Sequence, residues 1–170
     1  MNKVPYILYF LIFILASCIK EDVRGADLAV GDPLPGFEVL MNDGSVISDE
    51  SLKGNVSVVI FFNTACPDCQ KVLPVVQEIY EGYCPKGVRF AVISREDTSE
   101  NIKSYWEKNA LNMPYSVQKT RKVYEKFARS AIPRIYINDK NGVIRYIYTD
   151  ESLPSYSQLD YAVDLVMNLK

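Results

Sequence analysis

The feature that most constrains the fold is a cysteine pair set between two segments of different periodicity. Residues 56–62 form an almost unbroken apolar run, which predicts a strand buried on both faces. Residues 70–80 carry apolar side chains at helical spacing. The motif C-P-D-C at residues 66–69 lies between the two. This order predicts an α/β fold with both cysteines at the start of a helix.

The position of the motif favours reversible disulfide chemistry. A helix N-terminus presents free backbone N–H groups and a partial positive charge, and both stabilise a thiolate. Pro67 suits the first helical position, where no N–H is needed. Cys66 then becomes the N-cap, and Cys69 lies one turn inside and is less exposed. We expect Cys66 to attack, Cys69 to resolve, and the two to form a Cys66–Cys69 disulfide.

Two other interpretations of the motif remain open. A C-x-x-C can be half of a structural zinc site, but such a site needs four ligands, usually Cys and His. This chain has no histidine, and its other cysteines, Cys18 and Cys84, are isolated, so we predict no metal site. A static structural disulfide is the second alternative. We expect Cys84 to be a packed, small apolar side chain.

The pattern of the N-terminal residues predicts an export signal. A positive start, an apolar run at residues 4–16 and small residues precede Cys18, an order that resembles a bacterial lipoprotein signal. Residues 1–17 would be removed and Cys18 lipidated, leaving residues 18–27 as a tether and 28–170 as one domain. A secretory signal or short anchor with an incidental cysteine is the alternative. Either version exports the protein, and lipidation of Cys18 would anchor it to a membrane of the bacterial cell envelope, on the periplasmic or the surface side.

The composition gives little further information about function. The formal net charge of −2 gives no indication of nucleic-acid binding. We find no internal repeat, no second domain and no motif for a cofactor, so we expect none.

The remaining pattern predicts alternating elements. A hairpin is expected at residues 37–47, a strand at 88–93, a helix capped by Thr98 or Ser99, a short extended piece at 113–118 and a helix at 120–130. Strands at 135–137 and 143–148 should form a second hairpin, and a last helix should begin at a capping box of Ser155 and Gln158. These elements predict a mixed central sheet with helices on both faces.

The element order resembles the thioredoxin-like superfamily, and the N-terminal hairpin resembles its membrane-tethered, extracytoplasmic TlpA/ResA-like branch. Besides the cysteine motif, Pro74 inside the helix and Ile132-Pro133 before a strand stand at matching positions. The resemblance spans residues 28–170. It implies a thioredoxin-like fold with an N-terminal β-hairpin extension and thiol-disulfide oxidoreductase activity on protein disulfides.

The resemblance also implies a substrate-binding element. It makes Ile132–Pro133 a cis peptide beside the disulfide, with the backbone of Ile132 pairing with extended substrate. The sequence departs from the family pattern near the site. Its usual tryptophan is replaced by Ala65, its buried acidic or amide residue by Ile60, and a glutamate of some haem-maturation members by Val72.

Charges near the cysteines bear on the direction of electron flow. The negative charge of Asp68 opposes a thiolate at Cys66, which makes the reduced form less stable and the couple more reducing. Arg134, after Pro133, either offsets this charge, meets an acidic substrate or is an ordinary solvated arginine. With Pro67 and Asp68 tuning the pair, we expect a reductase that a membrane electron donor or a thioredoxin-type partner must re-reduce.

Other functions compete with this interpretation. A disulfide oxidase or isomerase would use the same cysteines in another direction. A peroxiredoxin needs Thr or Ser and Pro at positions held here by Asn63 and Val59, which disfavours it. A non-catalytic metal carrier lacks suitable ligands, and a non-catalytic envelope binding lipoprotein would keep the fold with a static disulfide.

Overall fold

The computed structural model describes residues 27–169, which contain two β-sheets. The strands, in chain order, are β1 (Glu38–Leu40), β2 (Val46–Ser48), β3 (Ser57–Phe62), β4 (Arg89–Ser94), β5 (Tyr115–Ser116), β6 (Arg134–Asn138) and β7 (Ile144–Tyr148). β1 and β2 form the predicted N-terminal hairpin as a separate antiparallel sheet. The larger sheet has the order β5-β4-β3-β6-β7. β4 is parallel to β3 and β5, whereas β6 is antiparallel to β3 and β7, which confirms the mixed sheet.

Helices flank this sheet. They are α1 (Asp49–Leu52), α2 (Pro67–Tyr83), α3 (Ser99–Lys108) and α4 (Tyr156–Met167). The capping box of Ser155 and Gln158 starts α4 as predicted, and the Thr98 side chain caps α3 by accepting from the Asn101 backbone N–H. α2 is longer at both ends than its apolar pattern suggested, and Pro74 lies inside it.

The central strand explains why both faces of the sheet must be covered. All six residues of β3 are buried, and successive side chains of a strand point to opposite faces. Phe61 packs against Tyr124, Phe127 and Tyr136, while its neighbour Phe62 packs against Trp106 of α3. Burying a large aromatic side chain this way typically stabilises a fold by about 3–5 kcal/mol relative to alanine. The strand is thereby fixed, and so is the loop that follows it.

The predicted helix at residues 120–130 is wrong. The segment contains only a short 3₁₀ turn at Tyr124–Lys126. A few turn-type hydrogen bonds lie within the segment, but others leave it: the Phe127 carbonyl accepts from the Leu28 N–H, and the Arg129 N–H donates to Asp27 Oδ1. The apolar residues that suggested a helix span little more than one turn, so a single turn buries them.

The predicted signal at residues 1–17 and the lipidation site Cys18 lie outside the described residues. Asp27, which was assigned to the tether, instead contacts the domain through Arg129 and Arg134. Within residues 27–169 no helix is long and apolar enough to cross a membrane.

Candidate active site

The cysteine motif lies where the parallel strands β3 and β4 end. Cys66 is the N-cap residue of α2, and Pro67 occupies its first turn, both as predicted. The Cys66 sulfur accepts a hydrogen bond from the Cys69 backbone N–H at 3.4 Å. A cysteine sulfur is therefore held against the positive end of a helix of 17 residues, which is a setting that stabilises a thiolate.

The two cysteines have different environments. Cys66 is half-buried, and its thiol lies 3.5 Å from the carbonyl oxygen of Ile132, to which it can donate. Cys69 is fully buried. Burial raises the pKa of the Cys69 thiol, because a thiolate loses its hydration there, and the neighbouring Cys66 raises it further. Both are free cysteines in this structure, and only Cys66 is open to a partner.

An open groove of about 560 Å³ runs beside Cys66. The peptide bond between Ile132 and Pro133 is cis, as the resemblance implied. Three segments line the groove, namely the loop before α2, the end of β4 and the loop before β6: Asn63, Ala65, Cys66, Pro67, Arg95, Glu96, Ala131 and Ile132.

A buried carboxylate holds the loop that carries Cys66. Asp97 Oδ2 accepts from the Thr64 backbone N–H at 2.8 Å and from the Thr64 hydroxyl at 2.6 Å. Asp97 Oδ1 accepts from the Thr98 backbone N–H at 2.8 Å. Burial alone would raise the pKa of Asp97, but the hydrogen bonds from Thr64 and Thr98 outweigh it and hold that pKa below its usual range. Asp97 is therefore ionised at neutral pH and fixes Thr64 two residues before the attacking cysteine.

Further polar contacts complete this loop. The Asn63 side-chain amide donates to the Glu96 carbonyl oxygen at 2.6 Å, and its oxygen accepts from the Ala65 N–H at 2.8 Å. The Gln70 side chain donates to the Thr64 carbonyl oxygen at 2.7 Å. Asn63 thus acts as a structural bridge between the loops that follow β3 and β4.

Sequence reasoning missed Thr64 and Asp97. A signal for them exists, since each follows one of two adjacent apolar strands, and the carboxyl ends of adjacent parallel strands meet at one edge. The parallel pairing of β3 and β4 had to be assumed before that signal could be used.

Asp68 does not act as an isolated negative charge. Its carboxylate pairs with Lys71 one turn later at 2.8 Å. The same hydrogen bond raises the pKa of Lys71. Lys71 is largely exposed and Asp68 is partly exposed, so water screens the pair, but it still neutralises much of the charge that was expected to oppose a Cys66 thiolate.

Arg134 is not the solvated or substrate-facing arginine that was predicted. Its side chain is buried, pairs with Asp27 and donates to the Ser130 carbonyl oxygen at 3.1 Å. It starts β6 and is already occupied by partners within the domain. The arginine that lines the groove is Arg95, which was not identified from the sequence.

Cys84 is exposed, so its assignment as a packed apolar side chain is wrong. α2 ends at Tyr83, and Cys84 opens a 3₁₀ turn beyond the packed face of the helix. It borders a separate cavity of about 320 Å³ next to Tyr80. Ile60 and Val72, which replace acidic residues of the family pattern, are both buried apolar side chains.

The described residues hold no group of three or more His, Cys, Asp or Glu side chains that could bind a metal ion. What the geometry provides is one accessible sulfur at a helix N-terminus, a second buried sulfur one turn later, and a groove beside the first. This arrangement suits attack on a disulfide followed by internal resolution.

Sequence comparison agrees with this chemistry. Residues 30–147 match the AhpC/TSA family, which is more than half of the chain. The chain is 28% identical over 133 residues to the thiol-disulfide oxidoreductase ResA of Bacillus thuringiensis (strain Al Hakam), covering 76% of this chain and 77% of that protein.

Solved structures share the fold. A thiol:disulfide interchange protein of the thioredoxin family from Chlorobium tepidum TLS superposes with a TM-score of 0.71 at 24% identity, covering 84% of this chain and 100% of that one. The thioredoxin domain of a thiol-disulfide oxidoreductase from Bacteroides vulgatus gives 0.68 at 23% identity, covering 81% and 99%. The chain therefore belongs to the AhpC/TSA family, as a TlpA/ResA-like member of the thioredoxin superfamily.

Proposed function

We propose that this protein, a thiol-disulfide oxidoreductase, works as a lipid-anchored reductase of protein disulfides outside the cytoplasm, with Cys66 as the attacking and Cys69 as the resolving cysteine. The observation that carries the proposal is the asymmetry of the pair. Cys66 is half-buried at the N-terminus of α2 and borders an open groove, whereas Cys69 is fully buried one turn later.

The reaction follows from this asymmetry. The Cys66 thiolate attacks one sulfur of a substrate disulfide, the substrate S–S bond breaks, and the other substrate sulfur leaves as a thiolate that takes up a proton. Cys69 then loses its proton and attacks Cys66, which breaks the mixed disulfide, releases the second substrate thiol and forms the Cys66–Cys69 bond. Two electrons have passed to the substrate. An external dithiol, either a membrane protein or a thioredoxin, must return two electrons and two protons.

Substrate would lie in the groove as an extended segment. Ile132 lines the groove, and its carbonyl oxygen faces the Cys66 thiol at 3.5 Å. A substrate strand that pairs with the backbone of Ile132 would bring its own disulfide next to Cys66, which is a short form of β-strand addition.

The test is a trapping experiment with purified protein and a disulfide-containing substrate protein. Cys69→Ala should accumulate a mixed disulfide, seen on gels without reductant and lost with it, because the resolving thiol is gone. Cys66→Ala should accumulate none. Equal trapping by both variants would contradict the assignment of roles.

Two controls are needed. Because Cys84 is exposed, both variants should carry Cys84→Ser so that this thiol cannot trap substrate by itself. A variant that lacks both Cys66 and Cys69 then measures any trapping that does not depend on the active-site pair, including trapping by Cys18 in molecules that are not lipidated.

The anchor rests on the N-terminal pattern, with residues 1–17 as signal and Cys18 as the lipidated residue. We expect the wild-type protein in the membrane fraction of the exporting cells and Cys18→Ser in the soluble exported fraction. Recovery of Cys18→Ser in the membrane at the wild-type level would refute lipid anchoring at this residue.

A further inference from the structure

Arg95 is a cation in the redox groove for which the described residues supply no carboxylate. It directly follows β4, and its backbone N–H donates to the Phe62 carbonyl oxygen at 2.7 Å, which extends the pairing of β4 with β3. Its side chain lines the groove beside Cys66. Its position is therefore fixed by the sheet and not by a mobile loop.

The guanidinium group of Arg95 is held by an aromatic ring. Its Cζ lies 5.7 Å from the centre of the Tyr124 ring, and the Cζ of Arg121 lies 5.5 Å from the same ring. The Tyr124 hydroxyl lies 2.6 Å from the carbonyl oxygen of Ala131, a residue that also lines the groove. The Tyr124 ring therefore packs against the guanidinium group of Arg95, and its hydroxyl bonds to a second residue of the groove lining.

These two arginines differ from Arg134 and Arg145, each of which has a carboxylate partner. Arg134 pairs with Asp27, and Arg145 pairs with Asp139 at 2.5 Å. In residues 27–169 neither Arg95 nor Arg121 forms an ion pair, and the buried Nε of Arg95 has no hydrogen-bond partner. The buried Nε is shielded from a ligand, but the two Nη groups of Arg95 are not buried in this way and form no hydrogen bond within residues 27–169, so they are the groups that can donate to a carboxylate in the groove.

One acidic side chain counteracts the positive charge of Arg95 in the groove. Glu96 also lines the groove and is exposed, but it forms no ion pair with Arg95. Its carbonyl oxygen is bound by Asn63, so its backbone is fixed while its carboxylate remains in solvent. An exposed charge is screened more strongly by water and salt than a half-buried one. Arg95 should therefore dominate the field inside the groove, and Glu96 should reduce its effect.

We propose that Arg95 is a specificity-determining residue that selects protein disulfides flanked by an acidic residue. This inference rests on the proposed function, because it names the substrate class of the same site. A carboxylate next to the substrate cysteine accepts from the Arg95 guanidinium while the substrate disulfide lies against Cys66.

The test uses the purified full-length chain in detergent, reduced before each assay. Three short peptides with the same disulfide differ only in the residue after the cysteine, which is Asp, Ser or Lys. The rate at which each peptide is reduced is measured by acid quench and chromatography of the peptide thiol. Comparing peptides within one variant removes any effect of the fraction of protein that is folded.

We expect the wild-type protein to reduce the Asp peptide about 5- to 10-fold faster than the Lys peptide at low salt, with the ratio falling as salt is added. Arg95→Gln should bring the ratio close to one, and Arg95→Lys should retain part of it. Glu96→Gln should increase it.

The control is Arg89→Gln. Arg89 is the exposed first residue of β4, whereas Arg95 follows its last residue, so the two lie at opposite ends of the same strand. Arg89→Gln should leave the ratio at its wild-type value. An equal change in both variants would show a general charge effect and overturn the proposal.

Three further results would also overturn it. If Arg95→Gln keeps the wild-type ratio, Arg95 does not select substrate. If Arg95→Gln slows all three peptides equally, Arg95 acts on Cys66 and not on the substrate. If wild type reduces none of the peptides, the proposed function itself fails, and this inference fails with it.

Discussion

The carboxylate of Asp97 should stabilise the domain by fixing the loop that carries Cys66, and Asp97→Asn tests this directly. Asp97 accepts four hydrogen bonds: two from Thr64, one from the Thr98 N–H and one from the Asn101 side chain at 3.2 Å. An amide keeps only one accepting oxygen. Its NH₂ group can donate to the Thr64 hydroxyl, but it cannot accept from a backbone N–H in either orientation.

The magnitude follows from these contacts. Asp97 and Thr64 are each only 8% exposed, so water cannot replace the lost acceptor. A hydrogen bond to a charged group contributes about 1.5–3 kcal/mol net, so the loss of the charge and of at least one acceptor should cost about 2–4 kcal/mol. With an unfolding slope of about 2 kcal/mol per molar urea, the midpoint should fall by about 1–2 M.

The assay is urea unfolding of the reduced protein, with Asp150→Asn as the matched control. Asp150 makes no hydrogen bond or ion pair within residues 27–169, so its substitution should change stability by less than about 0.5 kcal/mol. Equal midpoints for Asp97→Asn and Asp150→Asn at pH 7 would refute the stabilising role of Asp97.

The pH dependence provides a second check with a defined sign. The pKa of Asp97 is lowered in the folded protein, so its contribution is fully present above the ordinary carboxyl pKa of about 4 and is lost as the pH falls through the lower folded pKa. The stability difference between wild type and Asp97→Asn should therefore be constant near neutral pH and shrink below about pH 4. A difference that grows on acidification would contradict this.

The remaining predictions concern the ion pair beside Cys66 and are read from the reduction potential of the Cys66–Cys69 couple. Asp68→Asn removes a negative charge near the Cys66 thiolate and leaves Lys71 unpaired, so the potential should rise by about 10 mV, a small shift because water reaches both side chains. Lys71→Gln leaves Asp68 unopposed, so the potential should fall. Equilibration with glutathione and dithiothreitol buffers measures both, and shifts of the same sign would show that the pair does not act through charge.

Features set by local sequence were predicted well. The apolar run of β3, the start of α2 at Cys66 and the capping box at Ser155 each depend on neighbours within a few residues, and all three were found. The helix at residues 120–130 had comparable local support and is absent. There, the carbonyl of Phe127 bonds to Leu28, a partner about a hundred residues away that no local pattern reveals.

The same distinction between local patterns and contacts of distant segments applies within the active site. The cysteine pair and Ile132 could be named from motifs, whereas Arg95 and Arg134 could not be assigned correctly. Both arginines follow apolar segments and look alike in sequence, but Arg134 is paired with Asp27 across 107 positions of the chain, and Arg95 is not. An ion pair between distant segments depends on the completed fold, so sequence spacing does not show which arginine remains available to a ligand.

The direction of electron flow depends on how strongly the protein stabilises the Cys66 thiolate, because a more stable thiolate makes the couple more oxidising. The N-terminus of α2 stabilises it, as it would in any protein with this geometry. The residues between the cysteines, Pro67 and Asp68, add no positive charge, and the chain contains no histidine that could add one. The positive charge of Lys71 neutralises the negative charge of Asp68 but leaves no net positive charge beside Cys66. Under the proposed specificity, a substrate carboxylate would neutralise the charge of Arg95 in the groove. With substrate bound, the helix N-terminus is then the main source of thiolate stabilisation, which favours a reductase over an oxidase.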